Sequence, residues 1–327
     1  MDIKSKTTFL MTVFTASVLQ AAIITGQTAR QSQVTLPAKS PEPIVFHVTI
    51  ADKSGGFATG LKPTDLEVSI DKKPAQIVSL SQADEPVSVG IVLDSSGSAS
   101  QRSTEQTARD FLKVRDAIRH FMTSSNQAND YFLMAFNTKP QLLADWTSDP
   151  EAIAGQFHDL QVHGNTALYD ACYLAINKLQ SARHAKRALI LISDGQDNLS
   201  RYTFDELREL LRETGVLLYA IHFPASMDVG SSLGIDGMGI LEEFSSISGG
   251  TAFWSNDGAP LKLKDANVVF EIIATELRKQ YTVAIVPNEP LATKKWHKIR
   301  VKVNLPRDGR PQVKGLSART RDGFYLH

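Results

Sequence analysis

The chain of 327 residues contains one cysteine, Cys172. No intrachain disulfide and no thiolate metal cluster can form, so stability has to come from packing. A lone Cys inside a helix-like run reads as a small buried hydrophobe rather than a nucleophile. Charge of one sign is also missing: 35 basic residues balance 35 acidic ones, and no long single-sign run occurs. That excludes the electrostatic surface a nucleic acid or a lipid headgroup layer requires. His47, His158, His163, His222 and His297 show no paired spacing and no neighbouring carboxylate pair, so a zinc site is not expected. No Ser-His-Asp set and no phosphate-cradling glycine loop is present either.

Long hydrophobic runs are scarce as well. The nearest approach is residues 9–24, apolar apart from scattered Thr, Ser and Gln, which is short and polar for a bilayer of ~30 Å. Lys4 and Lys6 precede it and small residues follow, the layout of a secretory signal peptide over 1–29. The expectation is export with cleavage, to a secreted, periplasmic or cell-surface location; an uncleaved membrane anchor is the alternative. Residues 30–43 are polar and contain Pro, a flexible lead-in.

What is present is an ordinary folded composition, 42% hydrophobic, with two rhythms along the chain. Short alternating runs at 44–51, 66–70 and 75–80, with turn residues between them, form a β segment over 44–85. From 86 to 279, apolar β-rich runs at 87–93, 131–136, 188–193 and 216–223 alternate with helical periodicity at 103–121, 151–160, 167–179, 203–213, 239–248 and 264–278, with a weaker strand at 141–144. This predicts an α/β, doubly wound, mostly parallel sheet covered on both faces. Strand-like runs resume over 280–327. The economical arrangement pairs them with 44–85 as a small antiparallel β-sandwich that the α/β block is inserted in or flanked by. The Gly- and Ser-rich stretch 227–239 reads as a mobile loop, either a recognition element or a tolerated insertion.

In a doubly wound sheet, ligands bind outside the carboxyl ends of the strands. Three oxygen-rich loops fall there: Asp94-Ser95-Ser96-Gly97-Ser98, then His163-Gly164-Asn165-Thr166, then Ser193-Asp194-Gly195-Gln196-Asp197-Asn198. One carboxylate and two hydroxyls at alternate positions of a tight turn suit a hard cation that keeps several waters. Thr166 is placed to cap the following helix and to present a hydroxyl. Asp145 and Asp197 are candidates for hydrogen bonds to metal-bound water. His163 and Asn165 are candidates for contact with a ligand, and Asp170 is expected to solvate its helix surface.

The pattern Asp94-x-Ser96-x-Ser98, the Gly-x-Thr ending at Thr166, and Ser193-Asp194-Gly195 resemble the metal-ion-dependent adhesion site of von Willebrand factor A domains. The likeness covers about residues 86–278. The flanks at 60–68, 249–253 and 276–281 resemble the wider group of VWFA-related secreted bacterial proteins. It implies that Asp94, Ser96, Ser98, Thr166 and Asp194 hold Mg²⁺, or Mn²⁺ or Ca²⁺. It also implies a protein partner that offers an acidic side chain to the metal. Ala99 and Asn165 depart from common family choices, and a non-glycine at 165 bears on the loop's reach.

A dication nearly neutralised by two carboxylates keeps enough electrophilicity to reward an incoming Asp or Glu, which makes a docking post and not an enzyme. No catalytic residue is assigned. A metal-dependent hydrolase and a scaffold with a degenerate site are the alternatives.

Overall fold

The computed structural model describes residues 42–97, 104–158, 160–222, 232–254, 266–305 and 315–326. Ser98, the signal-like segment 1–29 and nearly all of the lead-in 30–43 lie outside the described residues. Pro41–His327 forms one compact unit.

The chain enters through β1 (Ile44–Ala51), a 3-10 turn at Pro63–Asp65, β2 (Leu66–Ile70) and β3 (Lys73–Ser81). The α/β block follows: β4 (Val87–Asp94), α1 (Thr104–Ser124), β5 (Asp130–Phe136), β6 (Pro140–Thr147), α2 (Pro150–Ala154) and α3 (Leu168–Gln180). It continues through β7 (Lys186–Ser193), α4 (Phe204–Thr214), β8 (Leu217–His222), α5 (Ser232–Ser248), β9 (Ala252–Phe253) and α6 (Ala266–Lys279). The chain then returns as β10 (Tyr281–Pro287), β11 (Lys295–Val303), β12 (Ser317–Arg319) and β13 (Gly323–Leu326).

The α/β sheet has the order β6-β5-β4-β7-β8-β9, parallel except for the edge strand β6. Every residue of β4 and of β8 is buried, which is why their sequences show no polar alternation. Phe111, Ile118 and Phe121 of α1 and Phe270 and Ile273 of α6 cover one face. Ile176 and Leu179 of α3, Leu211 of α4 and Phe244 of α5 cover the other. Cys172 lies fully buried in that second layer, and burial pushes its thiol pKa up, consistent with a packing role. Local signals place the helix ends: Thr203 and Glu206 make a reciprocal capping box for α4, and Gly215 ends it in the left-handed region.

The other strands form one seven-stranded antiparallel sheet, order β12-β1-β10-β3-β2-β11-β13. It curls over a single core of Phe46, Val48, Val68, Val283 and Ile285, where two facing sheets were expected. β10 lies between β1 and β3, so the α/β block leaves after β3 and re-enters at the neighbouring strand.

Three elements depart from the sequence expectation. The described part of the stretch 227–239 is the first turns of α5, not a loop. Its glycines serve close approach: a Cβ on Gly237 would stand 2.4 Å from the carbonyl oxygen of Asp194. Strands β9 and β13 have two and four residues, too short to leave a periodic trace.

A buried carboxylate ties the two sheets together. Glu276 on α6 accepts from the hydroxyls of Thr49 on β1 and Tyr219 on β8, each at 2.9 Å, and from the Arg319 guanidinium on β12. Gln280 adds bonds to the same two hydroxyls, and Lys186 donates to the Leu277 carbonyl beside them. Glu276→Ala would leave a guanidinium and two hydroxyls without their shared acceptor, so a loss of about 3–5 kcal/mol is expected in urea unfolding, with a smaller loss for Glu276→Gln. An Ala variant as stable as the parent would contradict this role.

Candidate functional site

Strand register creates the site. Leu93 pairs with Ile192, Asp94 with Phe136, and Ser193 with His222, so β4, β5, β7 and β8 end at one level. Asp94 is the last residue of β4 and is 8% exposed; Asp194, just past β7, is 6% exposed. One Asp94 oxygen accepts from the Ser96 amide at 2.9 Å and the other from the Ser193 hydroxyl at 2.7 Å. Burial first, and then the neighbouring Asp194 charge, push the Asp94 carboxyl from its ordinary 3.8 up to about 7.

Three loops are laced into a rigid rim. Ser95 donates its amide and its hydroxyl to the Phe136 carbonyl, at 2.8 and 3.0 Å. The second loop grips the first: His163 N donates to Ser95 O at 3.1 Å, and Gly97 N to Gly164 O at 2.8 Å. The left-handed turn of that loop falls on Gly164 (φ +83°), where a Cβ would stand 2.4 Å from the Thr138 hydroxyl. Asn165 does not adopt positive φ, so the non-glycine there is no strain on the loop. The third loop closes on the second through Thr166 N to Asn198 Oδ1 at 2.9 Å and Asn198 N to Thr166 O at 3.0 Å. Gly195 (φ +81°) lets this loop lie against α5, since a Cβ would stand 2.2 Å from Gly237 O.

The structure thus brings Asp94, Ser96, Thr166 and Asp194 to one rim, while Ser98 lies outside the described residues. Thr166 does not cap α3; the cap position is Ala167, with no side-chain bond. Thr166 is instead 3% exposed, and its amide is tied to Asn198 of the third loop. A threonine hydroxyl on a loop bonded to those of the two buried carboxylates is an oxygen donor of the kind a hard cation takes.

Other expectations need correction. Asp170 is buried and not a solvated helix residue: its Oδ1 accepts from Arg201 N at 2.9 Å and Tyr202 N at 3.0 Å, which staples the third loop to α3. Asp197 is turned toward protein donors, accepting from the Ser200 amide and hydroxyl and from Tyr169 N at the start of α3. Asp145 is away from the rim. It follows Ala144, which pairs at the level of Leu133 and Ile91, about 10 Å back from the strand ends at ~3.3 Å per residue. Its carboxylate is engaged by Lys178. His163 and Asn165 are exposed at the rim.

Two residues escaped the sequence reading. Ser193 was visible only as the neighbour of Asp194, yet its hydroxyl holds Asp94. His222 ends β8 beside Ser193, buried, with its Nδ1 unpartnered among the described residues and its pKa lowered by burial. Its only signal was its place at the end of an apolar strand.

Residues 89–196 match the family model described as von Willebrand factor type A domain. The vWF domain of the type V pili tip protein Mfa5 from Porphyromonas gingivalis is similar in fold, at 11% identity and a TM-score of 0.45, over 58% of this chain and 94% of that one. A von Willebrand factor type A protein from Catenulispora acidiphila aligns at 12% identity and a TM-score of 0.46, over 89% of this chain and 76% of that one. The PilB minor pilin from Streptococcus sanguinis aligns at 14% identity and a TM-score of 0.47, over 61% of this chain and 62% of the pilin chain. A comparison with curated proteins finds no match.

The Asp94 shift has a definite sign. Between the ordinary 3.8 and about 7 the fold keeps a proton that the unfolded chain has released. In chelator, stability is therefore lost as pH rises through that window and is level above it. Thermal melts of parent and Asp94→Asn should diverge there, the Asn variant gaining on the parent as pH rises from about 4 to about 7. Parallel curves would contradict the burial assigned to this carboxyl.

Proposed function

We propose that this protein is a metal-dependent protein-binding module. Asp94, Ser96, Thr166 and Asp194, with Ser98, hold one divalent cation, Mg²⁺ first and Mn²⁺ or Ca²⁺ as substitutes. The observation that carries the reading is the pairing of two buried carboxylates, Asp94 and Asp194, at adjacent strand ends, on loops bonded to the loop that carries Thr166. These are hard oxygen donors, without thiol or imidazole among them, which suits a cation of this class. Two carboxylates nearly neutralise a dication and leave it electrophilic enough to take one more oxygen, here an Asp or Glu of a partner protein. Asn165 and His163, exposed at the rim, contact that partner. The signal-like segment 1–29 supports export, so the partner is met in a secreted, periplasmic or cell-surface setting.

Binding is preferred to hydrolysis on chemical grounds. Among the described residues no hydroxyl at the rim is hydrogen-bonded to an imidazole, and the Cys172 thiol is fully buried and pushed away from the thiolate.

Isothermal titration of the protein with Mg²⁺ or Mn²⁺ should show one site, lost in Asp94→Ala. Ser193→Ala, which frees one Asp94 oxygen, should weaken it by about 10–100-fold. No heat at millimolar metal would overturn the reading. Partner capture should require Mg²⁺ and vanish in chelator.

A further inference from the structure

A cavity of about 290 Å³ opens beside the rim, between the turn joining β5 to β6 and the segment leading from the 3-10 turn at Gly155–Phe157 into the second loop. It shares walls with the site: Ser95, between Asp94 and Ser96, and His163, whose amide is bonded to the Ser95 carbonyl, both line it. Its mouth carries Lys139, Gln141, Gln156 and Gln161, and its floor carries Leu143 and Leu160. No carboxylate is among the described lining residues. The Lys139 ammonium makes no ion pair or hydrogen bond among the described residues.

Donors and one free cation over an apolar floor define the occupant. A side chain that fills this space has an aliphatic stem for Leu143 and Leu160 and an anionic head for Lys139 and the glutamine amides. A volume of about 290 Å³ sits at or below the small end for a drug-like ligand and suits a side chain with its local backbone. We infer that this cavity takes a second acidic side chain of the same partner segment whose first acidic side chain binds the metal. The inference rests on the metal-docking reading above and adds to it the partner's chemistry: an extended segment with two carboxylates at close spacing. Because Ser95 belongs to the loop that carries Asp94 and Ser96, both anchors lie within reach of a short peptide. Two anchors raise affinity by making the second contact intramolecular.

The test uses the full-length protein and fluorescein-labelled peptides. In each, two glutamates are separated by one, two or three glycines; single-glutamate peptides are the controls. In Mg²⁺, fluorescence polarisation should show at least one two-glutamate peptide binding about tenfold or more tighter than the single-glutamate control. Lys139→Glu should abolish that advantage and Lys139→Arg should keep it, while titration shows Mg²⁺ affinity unchanged in both. Two outcomes overturn the inference and leave the metal reading intact: no peptide with an advantage, or an advantage that survives Lys139→Glu. If the two-glutamate peptide binds equally in chelator and still depends on Lys139, the cavity is an acidic-side-chain site and the metal reading fails. Equal tightness of a free dicarboxylate such as glutarate would overturn the peptide-segment assignment.

Discussion

Two carboxylates, Asp94 and Asp194, are buried at the ends of neighbouring parallel strands, and their mutual repulsion is the constraint around which the strand ends are arranged. Like charges in a partly dry site cannot both remain ionised without a compensating positive charge. One response is a proton, which the raised Asp94 pKa records. The other is a cation, and the surroundings suit the second: a Ser193 hydroxyl holds Asp94 in place, and the loop that carries Thr166 is bonded to the loops of both carboxylates. The described parts of the loops that carry these groups are bonded to one another through Ser95, Gly97, His163 and Asn198.

The same economy holds at the opposite end of the α/β sheet. Glu276 is another buried carboxylate, and it is answered within the chain by Arg319 and two hydroxyls. It draws α6, β8 and the curled sheet into one unit, and Lys186 is bonded to the same helix. The contrast separates the two ends in function. At Glu276 the chain supplies the counter-charge, and the carboxylate is structural. At the strand ends Asp94 is held by a hydroxyl and an amide, with its pKa raised by burial and by Asp194.

The parallel core was legible because β4 and β7 are buried on both faces and carry the apolar stretches Ile91–Leu93 and Ala188–Ile192. Asp94 and Asp194 were legible because Asp94 follows such a stretch directly and Asp194 follows one after Ser193. What failed were side-chain directions. Asp170 and Thr166 stand one helical turn apart in sequence. The chain turns Asp170 into the third loop and leaves Thr166 short of the helix, because α3 begins only at Leu168. Asp197 was read as serving the metal, yet Ser200, three residues on, captures it. The start of α5 was hidden by glycines, which propensity counts as loop formers but which here allow backbone against backbone at Asp194. The binding role of Glu276 could not be read from its neighbours in sequence, since its partners come from strands more than forty residues away in the chain.

The central claim is that the two buried carboxylates share one divalent cation. Crystals grown or soaked in Mn²⁺ and measured at the manganese absorption edge test it most directly. The account predicts one anomalous peak between the Asp94 and Asp194 carboxylates, within coordination distance of the Thr166 hydroxyl or of a water it holds. A peak elsewhere, or none at these residues in Mn²⁺-saturated crystals, would contradict it.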